Sequence, residues 1–147
     1  MGVDIKQITY KDGEIPMDPA SEAYFGGQPA KIGAAGASLL KTETGTYIGI
    51  FKNSSYEDAK NGNVTIIRSG KVEFLNGSNA IDSVINGQTV EGAPYDTTKT
   101  YAAGEYLYID ANGKWSNTGT AGRERGIIVR PATASDGSME AYLFDVK

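Results

Sequence analysis

The sequence predicts a mostly β fold: a small antiparallel β-barrel or sandwich with an extended N-terminal arm and at most one short helix. Three observations predict it. The 147 residues include 19 glycines and nine tyrosines, and glycine at nearly twice its ordinary share of about 7% marks a turn-rich chain. Roughly seven or eight short β-branched or aromatic runs follow one another with turn signals every 8–12 residues or so, the spacing of sandwiches and small barrels. These runs do not alternate with substantial helices, which excludes a Rossmann-type or other α/β layering.

Residues 1–30 read as the arm and 31–147 as the β domain. The first thirty residues hold Pro16, Pro19 and Pro29, three of the five prolines, together with Gly26-Gly27. Proline is excluded from helix interiors and central strands. Ile5, Ile8 and Ile15 are too sparse for a helical stripe. A loose tail and an arm that orders on a partner both fit this pattern. Met17, Tyr24 and Phe25 favour the arm, because plain linkers seldom carry such side chains.

Within the domain, Lys31–Leu40 (KIGAAGASLL) is small and apolar and marks its beginning. Thr46–Lys52 (TYIGIFK) predicts a strand. In SSYEDAKNG at 54–62, Ser54 and Glu57 form a capping-box pattern, Asp58 places an acid in the first turn and Gly62 closes the end, so a short helix is expected there. Asn63–Arg68 and Lys71–Leu75, separated by Ser69-Gly70, read as a hairpin. Over 76–104 the signal weakens, with Ile81, Val84 and Ile85 interrupted by Gly and Asn. Glu105–Asp110 (EYLYID), Asn112-Gly113 and Lys114–Ser116 predict a second hairpin, since Asn-Gly supplies the positive φ that tight hairpin turns require. Gly126–Arg130 and Glu140–Val146 complete the set. In the last run, Tyr142, Phe144 and Val146 share one parity and are expected to face the core.

Composition excludes much chemistry. With no cysteine and no histidine, the chain has no disulfide, no thiolate or imidazole nucleophile or base, and no Cys/His zinc site. Phosphate loops of the GxxxxGK[ST] or GxGxxG type are absent, and Gly33-Ala34-Ala35-Gly36 lacks the lysine that would follow. Asp and Glu are scattered, with no pair set apart for glycoside hydrolysis. Asp110-Ala111-Asn112-Gly113 has oxygen ligands suited to a hard cation but lacks the closing bidentate acid, so it reads as a turn. The four Asn-Gly pairs, at 61–62, 76–77, 86–87 and 112–113, read as turns too. Nothing requires a catalytic residue, a metal or a cofactor, and a non-enzymatic protein is expected.

The net charge of −4 comes from interspersed acids and bases, so no basic stripe is offered to a nucleic-acid backbone. No apolar run approaches the roughly 18 residues that span a membrane. The N-terminus lacks a basic and then apolar leader, and Lys6 stands where a myristoylation motif has Ser or Thr. Synthesis in a cytoplasm is therefore expected. Arg123-Glu124-Arg125 reads as a solvated loop or an interface ion-pair cluster.

Candidate binding residues come from two places. Ile5, Ile8, Ile15 and Phe25 on the arm are isolated apolar groups that could fill pockets on a partner. In EYLYID, Leu107 and Ile109 point to one face and Tyr106 and Tyr108 to the other. The tyrosine face fits cross-strand pairing, a protein surface or a sugar platform.

The pattern of Tyr95–Val146 resembles the small β-barrel of tailed-phage head decoration (capsid cement) proteins. The resemblance is carried by YAAGEYLYIDANGKWSNTG, AGRERGIIVRPAT and SMEAYLFDV: a strand, Asn-Gly and an aromatic, then a Gly-Ile strand and a final apolar strand. An arm ahead of a β domain is also typical of that family. The resemblance implies a structural virion protein on the outer capsid surface. Such a protein binds the major capsid protein, commonly as a homotrimer beside neighbouring decoration proteins, and clamps capsomers against internal DNA pressure. It implies no catalytic residues. Segment 31–94 is longer than the minimal decoration fold and does not align with it. A phage tail or fibre β module, a carbohydrate-binding β-sandwich and a histidine-free carboxylate enzyme are the alternatives.

Overall fold

The computed structural model describes residues 3–75, 84–85, 88–89, 92–133 and 137–146, with the backbone alone for 4–14, 84–85 and 88–89. The chain is mostly β, an antiparallel sheet curled into a half-barrel with one short helix, as the sequence predicts. In order, the strands are β1 (Val3–Pro16), β2 (Pro29–Gly33), β3 (Gly36–Leu39), β4 (Tyr47–Phe51), then helix α1 (Ser55–Asp58). They continue with β5 (Asn63–Phe74), β6 (Val84–Ile85), β7 (Gln88–Thr89), β8 (Tyr106–Ile109), β9 (Trp115–Ser116), β10 (Gly126–Arg130) and β11 (Met139–Leu143). The main sheet runs β3-β2-β4-β5-β11-β10-β8-β9, with β1 added alongside β5.

Several elements form for reasons that are local. Ser54 caps α1: its side chain accepts from the Glu57 N–H while the Glu57 carboxylate accepts from the Ser54 N–H, which satisfies two donors that a helix start leaves open. Asp110 accepts from the N–H groups of Asn112 and Lys114 at 2.8 and 2.9 Å. That closes the β8–β9 turn. The Asn76-Gly77 and Asn86-Gly87 turns, and Ile81, lie outside the described residues.

The expected turn at Ser69-Gly70 is corrected. Strand β5 runs unbroken from Asn63 to Phe74, and Gly70, at φ +116°, sits in an irregularity of the ladder. Opposite it, the β1–β5 register slips between Ile8 and Tyr10 and again between Tyr10 and Lys11. Positive φ serves a turn or a bulge equally well. Here β1 pairs on one edge of β5, while β4 and then β11 pair on the other, so the strand stays extended. The kink switches the buried face. Val64 and Ile66 enter one hydrophobic cluster, and Val72 and Phe74 enter another.

The larger cluster is centred on Trp115, fully buried beside Phe74 and Tyr47 and ringed by Ile50, Ile67, Leu107 and Leu143. The smaller holds Tyr24, Ala30, Ala37, Leu39, Phe51, Val64 and Ile66. The Tyr24 ring stacks on Phe51 at 3.5 Å.

Of residues 1–30, expected to stand off as an arm, the described ones, 3–30, pack on the domain. Strand β1 pairs with β5 along its length and Val3 reaches the larger cluster. Tyr24, Gln28 and Ala30 are buried. The reason lies in partners distant in sequence: Trp115 Nε1 donates to the Gly27 carbonyl at 2.8 Å and Gln28 Nε2 donates to the Gly113 carbonyl at 2.7 Å. The expected inward parity of Tyr142 and Phe144 is corrected too. Met139, Ala141 and Leu143 are buried, Tyr142 is exposed and Phe144 is half-buried. Val146, past the end of the strand, does pack against the larger cluster.

Candidate partner-binding surface

Alternation along β8 and β11, and along β10 as far as Ile128, sends Leu107, Ile109, Ile128, Ala141 and Leu143 inward. Their neighbours are thereby turned out. Tyr106 pairs with Ile127, Ile127 with Tyr142, and Tyr142 with Lys71, so one row crosses four strands on the outer face. Tyr106 is 48% exposed, Val129 44% and Tyr142 40%. Phe144 joins this row from beyond β11. Its ring lies 6.3 Å from Tyr106 and 6.5 Å from Tyr142, at interplanar angles of 66° and 54°. Each ring restrains the next, and the three do not form one plane.

The adjoining part of the same face is charged. Glu140 stands directly opposite Glu73, a repulsive cross-strand pair by itself. Arg130 resolves it, with Nη2 at 2.6 Å from Glu73 and Nε at 2.9 Å from Glu140, and Lys71 approaches Glu140 at 3.3 Å. Ser138 also donates to Glu73, at 2.9 Å. The Arg130 hydrogen bond, above all, holds the Glu140 carboxyl below its ordinary range. These acids are committed to cations, and the face presents an aromatic half beside an ion-pair half.

A second polar pair is enclosed. Tyr24 donates to Asp58 Oδ2 at 2.6 Å inside the smaller cluster. Burial pushes the Asp58 carboxyl up and the Tyr24 phenol up as well. The pair ties α1 to the Tyr24–Phe51 stack.

Of the residues marked out by sequence, Tyr106 is the one the structure brings into the exposed cluster. Tyr108 is half-buried, with its ring against Gly119, where an added Cβ would collide with it. Ile15 packs against the smaller cluster beside Met17. Phe25 is half-buried against Gly92. Ile5 and Ile8 stand on β1 opposite Val72 and Gly70, and their side chains lie outside the described residues. Arg125 places its guanidinium 4.8 Å from the Tyr47 ring centre, more than a solvated loop requires.

Sequence reasoning missed Ile127, Val129, Tyr142 and Phe144 as surface. The signal for Tyr142 was present: it shares parity with Glu140, a charged residue that seeks water.

No protein-family model, curated protein or solved structure matches the chain. Among the described residues, no helix is long and apolar enough to cross a membrane.

Proposed function

We propose that this chain is a non-enzymatic decoration protein on the outside of an icosahedral phage head. There it binds the major capsid protein as a homotrimer and clamps neighbouring capsomers. The observation that carries a binding role is the row Tyr106–Ile127–Tyr142 with Phe144, an apolar surface on a sheet suited to the contact between copies in that homotrimer. Exposed apolar patches of this kind mark contacts in soluble proteins. The capsid as target rests on the resemblance of Tyr95–Val146 to head decoration proteins.

Strand β1 supports the same reading. Among the described residues β5 is its one ladder partner. Among those residues no strand pairs with its second backbone edge, a place for main-chain pairing with a capsid protein. Ring geometry disfavours a sugar platform, because rings crossed at 66° and 54° do not give the flat face on which a pyranose stacks.

The test is co-sedimentation of the full chain with expanded, undecorated phage heads, followed by image reconstruction. Saturable density at symmetric or quasi-symmetric positions is expected. Protein that stays in the supernatant at every concentration rules the function out.

A further inference from the structure

We infer that the aromatic face is the socket for the β2–β3 hairpin of a second copy of this chain, in a head-to-tail contact. The hairpin and the face lie toward opposite ends of the strand order, with β4 and β5 between β2 and β11. Both are apolar and exposed. Residues 31–35 are all exposed, and the tip carries Ile32, 42% exposed, beside Gly33, Ala34 and Ala35.

The hairpin is braced from behind. Gly36 has φ +125°, and a Cβ there would collide with the Pro16 carbonyl oxygen. Asp18 donates its N–H to the Ala37 carbonyl at 2.9 Å, and Met17 bridges to Ala37. A rigid projection and a rigid ring cluster lose little conformational freedom on meeting, which favours association from a small area.

Charge selects the pairing. Lys31, beside Ile32, has no ion-pair partner among the described residues, whereas nearby Lys41 is held by Glu22 at 3.1 Å. Asp145, beside Phe144, is exposed and likewise unpaired among them. Hairpin to face brings Lys31 toward Asp145. Face to face would bring Asp145 toward Asp145, and tip to tip Lys31 toward Lys31. A heterologous contact of this kind closes into a ring when its rotation permits. The expected copy number of three rests on the decoration reading; the contact itself does not.

The experiment is sedimentation velocity of the full chain from about 10 µM to about 1 mM, a range that reaches weak contacts. Wild type should associate into a closed species. Ile32→Asp and Tyr142→Asp should each weaken association by about tenfold or more. The decisive step is mixing these two variants. Each keeps one intact surface, so the mixture should form a 1:1 heterodimer and stop there. Tyr106→Asp serves in place of Tyr142→Asp if circular dichroism shows that the latter misfolds. Wild type that stays monomeric throughout, Ile32→Asp that associates like wild type, or a mixture that stays monomeric would each overturn the inference. Capsid co-sedimentation reads the decoration function separately. Capsid binding by a chain that never self-associates removes the head-to-tail contact and keeps that function, and self-association without capsid binding does the reverse.

Discussion

The two hydrophobic clusters share the central strands but are held by different chemistry. Ile50 and Ile67 enter the larger, while their chain neighbours Phe51 and Ile66 enter the smaller. The middle of the sheet is therefore buried on both faces, and its strands read as continuous apolar runs. The larger cluster is closed by β8, β10 and β11, whose alternation slips between Ile128 and Arg130, and its outer face carries the ion pairs around Arg130. The smaller is closed by a glycine-rich hairpin and a proline-bearing segment, and its polar tie, Tyr24 to Asp58, is inside. An acid on the outside of a sheet finds cations and ionises readily. An acid enclosed beside Phe51 is penalised for its charge. The two halves should therefore answer acid with opposite sign.

The largest effect expected is that of Trp115→Ala, which removes the buried centre of the larger cluster. It should cost about 3–5 kcal/mol in denaturant unfolding followed by circular dichroism. Because Trp115 also holds Gly27, at 2.8 Å, both clusters should unfold in one transition. Two separated transitions would mean that the halves are independent.

Next comes Gly70→Ala, at φ +116°. Strain at a non-glycine residue in that region is worth about 1–3 kcal/mol, and the bulge sets which face of β5 enters which cluster. A loss near zero would show that the strand accommodates a regular register.

Tyr24→Phe removes one of two side-chain donors from the buried Asp58 carboxylate, leaving Asn53, and should cost about 1–3 kcal/mol at neutral pH. Asp58 has a folded pKa above its unfolded value, so its ionised form opposes folding and stability rises as pH falls through the folded value. The cost of Tyr24→Phe should shrink over that interval, since a neutral Asp58 needs the hydroxyl less. A cost independent of pH from neutral into the acid range would break this account.

The smallest effect is that of Glu140→Gln, on the well-solvated side, at under about 1 kcal/mol. Glu140 has a lowered folded pKa. Its contribution is present above its unfolded value and is lost as pH falls through the folded one. The gap between wild type and variant should therefore close in acid; what differs in sign is the ionised group's contribution to wild-type stability, favourable for Glu140 and unfavourable for Asp58. Parallel pH titrations of the two sites sharpen the comparison most directly.

What could be read without tertiary structure was local. The Ser54/Glu57 capping box, the Asn112-Gly113 turn and the inward parity of Leu107 and Ile109 each depend on residues a few positions apart. The structure keeps all three. Tyr106 as a surface aromatic follows from the same alternation. Phe144 was misread because parity was counted from the aromatics alone, although Glu140 in the same run marks the outward side.

Sequence alone determined that this chain is mostly β, where many of its strands lie, and that it has no thiol or imidazole chemistry, because propensity, turn φ and side-chain inventory belong to single residues or neighbours. Tertiary structure decided the rest. Ser69-Gly70 permits a turn or a bulge at similar cost, and only the strands on both edges of β5 choose the bulge. Residues 17–30 have too few apolar groups to fold alone, yet Trp115 and Gly113, more than eighty positions away, supply the partners that bury Gly27 and Gln28. The row of Tyr106, Ile127 and Tyr142 exists only because three strands from different parts of the chain come into one register, a relation that no local stretch of sequence contains.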